Sequence, residues 1–166
     1  MPVIELTVHS VMYSLLSRHR VVLLKEEGQE RYLPIWIGAY ESEAIAMRLQ
    51  GASVPRPLTH DLLANVIAQF GGVIKYIVVN DLSNNTFFAR IAVQRDGELQ
   101  LVDARPSDAI ALAVRVSAPI YAEESVMEKA GIVASPEIRA TTPAEEEQLD
   151  AFRDFVDTLD LDDLGG

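Results

Sequence analysis

The 166-residue chain contains no cysteine. That excludes a disulfide framework, a thiolate nucleophile and a cysteine-ligated metal, and it suits a reducing compartment. Long apolar runs are missing too: nothing approaches the ~18 uninterrupted apolar residues of a membrane span. The first ten residues lack a basic region followed by an apolar run and a cleavage site, so no secretory signal is expected and a cytoplasmic location is. No glycine-rich phosphate loop, His-Glu-x-x-His or Gly-x-Ser-x-Gly motif is present. Basic charge is scarce, with 14 Lys and Arg against 25 Asp and Glu and a net charge of −11. The deficit is uneven: residues 1–136 carry 15 acids and 12 bases, whereas 137–166 carry 10 acids and 2 arginines. The body is therefore close to neutral and offers no large basic face for gripping nucleic acid. The acidity belongs to the tail.

What is present is enough apolar side chain, 49 % of residues, to build one core at this length. Alternating apolar and polar residues predict a strand over Val3 to Met12, a second over Arg20 to Lys25 and a third over Arg31 to Ile37. Pro34 lacks a ladder donor, which places the third strand at an edge or at a bulge. A helix of about ten residues is expected from near Tyr40. A second, over Leu58 to Phe70, has Thr59 as expected N-cap and Asp61 at its positive dipole end, and Gly71 and Gly72 stop it.

The pattern then restarts. A strand from Val73 to Leu82, an Asn84-Asn85 turn, a strand from Thr86 to Gln94, an Asp96-Gly97 turn and a strand from Leu99 to Asp103 lead into a helix with Ser107 as expected N-cap. Ser-Glu-Ala-Ile-Ala-Met at 42–47 matches Ser-Asp-Ala-Ile-Ala-Leu at 107–112. The reading is an α+β fold of duplicated β-β-β-α units, about 3–50 and 73–116, forming a mixed or antiparallel sheet packed with helices. The domain spans 1–133, closed by a short strand at 119–123 and a helix at 124–130. Residues 134–166 are read as a linker and an acidic C-terminal helix striped by Leu149, Phe152, Phe155, Val156 and Leu159.

Three polar clusters stand out. Arg56, Thr59, His60 and Asp61 gather at a helix start, where backbone N–H groups accept anions and a histidine moves protons. The structural alternative is a Thr59 cap with Arg56 paired to Asp61. Asp103, Arg105, Ser107 and Asp108 gather at a strand-to-helix turn, with two carboxylates for a divalent cation and an arginine for a phosphate. The alternative there is an Asp–Arg tie capped by Ser107. The third cluster is Glu41 and Glu43, with Glu123 and Glu124; the repeat makes Glu43 the counterpart of Asp108, and the structural alternative is that acids are favoured in a first helical turn. His9 and His19 read as incidental, and Trp36 as a core residue.

Read together, Leu-Pro-Ile-Trp-Ile-Gly at 33–38 with the helix at 41–49, Arg-Pro-Leu-Thr-His-Asp-Leu-Leu at 56–63, and Asp-Ala-Arg-Pro-Ser-Asp-Ala-Ile-Ala-Leu-Ala at 103–113 resemble the bifunctional nuclease (BFN) domain family over roughly residues 3–131. The resemblance implies a nuclease acting on DNA and RNA, a compact α+β fold and homo-oligomers, dimeric or higher. It does not itself assign catalytic residues. On the chemistry above, His60, Asp103 and Asp108 are expected to be catalytic, and Arg56, Thr59, Arg105 and Ser107 to hold phosphate, with Asp61 in support. Asp103 and Asp108, with Glu43, would bind Mg²⁺ or Mn²⁺, and no organic cofactor is expected. The competing expectation is a non-enzymatic oligomeric regulatory or protein-binding module.

Overall fold

The computed structural model describes residues 2–134. The acidic helix expected beyond residue 134, with its apolar stripe, lies outside the described residues. In chain order the elements are β1 (Val3–Tyr13), β2 (Arg20–Glu26), β3 (Arg31–Ile37), α1 (Ala39–Leu49), α2 (Thr59–Gln69), β4 (Val73–Ser83), β5 (Thr86–Arg95), β6 (Glu98–Ala104), α3 (Pro106–Val116), β7 (Ile120–Glu123), α4 (Glu124–Ala130) and β8 (Ile132–Val133). The architecture is α+β, with one mixed sheet ordered β6-β5-β4-β7-β1-β2-β3-β8. The element order strand–strand–strand–helix occurs twice, and β7 separates the two meanders. It is parallel to β4 and antiparallel to β1.

The tight turns form where the sequence supplies residues that tolerate positive φ. Asn84 and Asn85 sit at +51° and +60°, and Asp96 and Gly97 at +51° and +80°. Two consecutive left-handed residues make a turn whose twist matches the flanking strands. Pro34 pairs with Leu23 of β2. On its other side β8 pairs only Arg31 and Tyr32, so the missing N–H of Pro34 costs no ladder bond among the described residues. The sequence reading did not include β8.

The helices cover one face of the sheet. The core draws alternate strand residues, Val22 and Leu24, Leu33 and Ile35, Ile77 and Val79, Ala89 and Ile91, together with Ile45, Ile110, Leu112 and Met127 from three helices. Helix α3 is the centre of this layer. Its Ala109, Ala111 and Ala113 are fully buried beside Ile110 and Leu112, and small side chains there allow α1 and α2 to approach it closely. The opposite face is only partly covered. Val3, Phe88, Leu99 and Leu101 are among its exposed apolar residues.

The helix caps differ from the sequence reading. Thr59 is the first helical residue of α2, and the N-cap is Leu58. Its backbone N–H donates to Asp61 Oδ2 at 2.9 Å, so the carboxylate expected only to complement the dipole also caps the helix. Ser107 is the second helical residue of α3, and the N-cap is Arg105. Pro106, with fixed φ and no N–H, takes the first helical position and moves the cap two residues upstream of Ser107.

Candidate active site

Two helix starts meet in this layer. His60 is buried at the beginning of α2 and faces Asp108 at the beginning of α3, with Nε2 to Oδ1 at 2.9 Å. The acceptor is a carboxylate, so Nε2 carries the hydrogen and donates. The other carboxylate oxygen, Oδ2, accepts from Arg105 Nε at 2.9 Å. Arg105 Nη2 reaches across to Glu41 Oε1 of α1 at 2.8 Å. His60, Asp108, Arg105 and Glu41 thus form one network tying three helices. Burial pushes the Asp108 carboxyl upward, but the His60 and Arg105 bonds and charges together outweigh it and hold it below the usual range. Arg105 is raised, first by its bond to Asp108 and then by Glu41.

A second network lies on the other side of the same helix start. Asp61 Oδ1 accepts from Arg115 Nε at 2.8 Å. The Arg115 side chain is only 6 % exposed and also donates to the carbonyls of Ala111 and Ala44. Asp61 is held below the usual carboxylate range, chiefly by the Leu58 N–H and then by Arg115 against an opposing desolvation. Asp108 and Arg115 are seven residues apart on α3, two turns or about 10 Å. Adjacent residues of α2 therefore engage two points on α3, and the start of α2 straddles it.

These contacts sort the expected site residues. His60, Arg105 and Asp108 come together. Asp61 pairs with Arg115, whereas Arg56 is exposed and makes no ion pair among the described residues. Thr59 is exposed and Ser107 is buried in the first turn of α3. Asp103 is on the wrong face. Ala104 pairs with Ala89, which belongs to the core, so Asp103 and its partner Arg90 point away from the helices. Glu43 is exposed on α1, and it is Glu41 that joins the network. Asp103, Asp108 and Glu43 therefore do not gather around a common point, and no group of three or more His, Asp or Glu able to hold a metal exists among the described residues. The described side chains do not fit a three-ligand metal site.

Sequence reasoning noted Glu41 beside Glu43 but chose Glu43 for the site, and it missed Arg115. Helix position was the usable signal. Counted from the first helical residue, Glu41 in α1 and Asp108 in α3 are both third, although the letter match had paired Asp108 with Glu43. Gly38 supports the arrangement, because a Cβ there would collide with the folded-back carboxylate of Glu41. Arg115 was detectable as a lone charge on the face of α3 that Asp108 shares.

An α+β layer carrying a His–carboxylate–Arg network defines a domain equipped to move a proton beside an anion. The family model described as Bifunctional nuclease domain matches residues 22–135. An uncharacterised protein of Mycobacterium tuberculosis is 44 % identical over 146 residues, which cover 87 % of each chain. Bifunctional nuclease 2 of Oryza sativa subsp. japonica is 29 % identical over 115 residues, 68 % of this chain and 35 % of that protein. Bifunctional nuclease 1 of Arabidopsis thaliana is 25 % identical over 127 residues, 75 % of this chain and 39 % of that protein. This chain belongs to the bifunctional nuclease domain family. It spans little more than a third of the length of these plant relatives. No described helix is long and apolar enough to cross a membrane.

Proposed function

We propose that this domain hydrolyses phosphodiester bonds of DNA or RNA, with His60 as the proton-transfer group, Asp108 as its positioning residue and Arg105 as the phosphate-binding cation. The observation that carries the reading is the His60–Asp108 hydrogen bond with Arg105 beside it. Asp108 accepts from Nε2–H and leaves Nδ1 to exchange a proton. In hydrolysis water attacks phosphorus, one P–O bond breaks, and the departing oxygen needs a proton. His60 serves one of these transfers, typically worth 10²–10⁴-fold in rate. Its side chain is 10 % exposed, so little of the ring is open to substrate. Arg105, at 68 % exposed, has donors to spare for phosphate oxygens and is steered by Asp108 and Glu41. Mg²⁺ or Mn²⁺ would draw on substrate phosphates and single carboxylates rather than a preassembled protein set.

The test is cleavage of single- and double-stranded DNA and RNA by purified wild type, His60→Gln and Asp108→Asn, with Mg²⁺, Mn²⁺ or a chelator. Loss of cleavage in both folded variants supports the proposal. Cleavage indifferent to both mutations points to a contaminant and removes it. One observation favours a second reading, a non-enzymatic regulatory or protein-binding module: Asp108, Glu41, Asp61 and Arg115 are all engaged internally. A folded wild type inactive on every nucleic acid, metal and pH tried would select that reading.

A further inference from the structure

We propose that the cavity beside α2, on the Arg115 side, binds a nucleotide-like phosphomonoester, at a place separate from the phosphate handled at His60. The cavity has a volume of ≈ 370 Å³ and lies between the end of α1, the connection 50–58 and the start of α2. Three of its lining residues are arginines, Arg48, Arg56 and Arg115, and one, Asp61, is acidic. Both oxygens of Asp61 are engaged, one on the Leu58 N–H and the other on Arg115. That pair cancels in charge, so the lining keeps a net excess of two cations, Arg48 and Arg56, with Arg48 also within electrostatic reach of Asp61. Arg48 donates to the carbonyls of Val114 and Arg115 at 3.4 Å, in the last turn of α3, where the negative helix end positions it and offsets part of its charge. Two like charges lining one cavity repel until an anion lies between them.

The charge and the walls narrow the ligand. Two spare guanidiniums match the dianion of a phosphomonoester, whereas a phosphodiester with one charge leaves one cation unmatched. The remaining wall includes Met47, Val54, Pro55, Pro57 and Leu58, an apolar surface suited to a base or sugar. Pro55 and Pro57 restrict the backbone of that wall in advance, which lowers the ordering cost of binding. The volume sits at the lower end of the ~300–1,000 Å³ of small-molecule sites. It admits a single nucleotide unit and not a duplex. In an acidic chain this net excess of positive charge is local. The cavity on the open face of the sheet sets Arg90 against Glu123, and the groove between α2 and β6 has one arginine in an apolar lining.

The test is calorimetric titration of the full chain with 5′-AMP, adenosine, inorganic phosphate and the phosphodiester ApA, for wild type, Arg56→Ala and Arg48→Ala. Arg56 is exposed and unpaired, so its removal leaves the fold intact, which a thermal melt verifies. Saturable binding of 5′-AMP, at least about tenfold tighter than each of the other three probes, is expected. Loss of one or two charge-assisted bonds should weaken it roughly 10–100-fold in Arg56→Ala. Affinity should also fall as pH drops through about 6, where the monoester loses its second charge. Adenosine, ApA or phosphate binding as tightly as 5′-AMP, or an Arg56→Ala variant binding like wild type, would overturn the proposal. A 5′-phosphorylated dinucleotide bound as well as 5′-AMP would assign the source to a strand end, and weaker binding to a free nucleotide. The readout is binding alone, so it fails or succeeds independently of hydrolysis at His60.

Discussion

Replacing Asp108 with Asn isolates the network at the meeting of α2 and α3. The shape is preserved, but one acceptor oxygen becomes an NH₂ donor. In the native arrangement both oxygens accept, Oδ1 from His60 at 2.9 Å and Oδ2 from Arg105 at 2.9 Å. Asparagine satisfies one donor and turns its own donor toward the other. One charge-assisted bond, worth ~1.5–3 kcal/mol, is lost and a donor faces a donor. The Asp108 side chain is 30 % exposed, so water recovers part of the cost. The net expectation is a loss of ~1–3 kcal/mol, or roughly 2–12 °C in Tm for a chain of this size. Activity should fall much further, by 10²–10⁴-fold, because His60 loses the partner that sets its tautomer and orientation. Asp103→Asn is the matched control. Its side chain lies across the sheet from His60, so stability within about 0.5 kcal/mol of wild type and unchanged cleavage are expected. Melts and initial-rate assays on the three proteins decide the matter. An Asp108→Asn enzyme as active as wild type, or an Asp103→Asn enzyme equally impaired, refutes the reasoning.

Three further outcomes follow from the same geometry. Arg115→Met removes a buried guanidinium and strands Asp61, costing ~2–4 kcal/mol in chemical denaturation. The Asp61 pKa is depressed in the folded state, so its stabilisation is present above the unfolded value near 3.9 and lost as pH falls through the lower folded value. Melts of wild type across pH 5 to 2 should show that loss, and Arg115→Met should lessen it. Gly38→Ala should displace the Glu41 carboxylate from Arg105 with little global cost, under about 1 kcal/mol, because the arginine is exposed. A double-mutant cycle should find Gly38→Ala without further effect in an Arg105→Ala background. Finally, Phe70, Val66 and Val102 are exposed around the groove between α2 and the edge strand β6. If a second copy covers them, Phe70→Asp should lower the mass seen by light scattering, and a monomeric wild type would defeat that expectation.

The two networks divide the labour of the α2 start. Asp61 and Arg115 fasten it to α3, Arg115 through a side chain that is almost wholly buried. His60 and Arg105 occupy the other side, where the histidine–carboxylate pair lies beside an exposed guanidinium. The same turn of helix therefore carries a structural tie on one side and a histidine–carboxylate pair on the other, which is why the sequence cluster at 56–61 supported both readings.

The chain's order of strands, turns and helices could be read from local chemistry alone. Side-chain alternation, the Asn-Asn and Asp-Gly turns and the glycines after helices act within a few residues of themselves, so α4 and both hairpins fell where expected. The three motifs that mark the bifunctional nuclease family were legible for the same reason. Tertiary structure decided everything that depended on facing. A strand reverses its faces at every residue, so Asp103, five positions from Asp108, lies across the sheet from it. Pro106 set the start of α3, and so buried Ser107 and aimed Asp108 at His60. Glu41 rather than Glu43 reached Arg105 because the packing of α1 on α3 selects helix position, not the letters around it. The absence of cysteine excluded one chemistry at the outset. The crossing of three helices assembled the His60–Asp108–Arg105–Glu41 network.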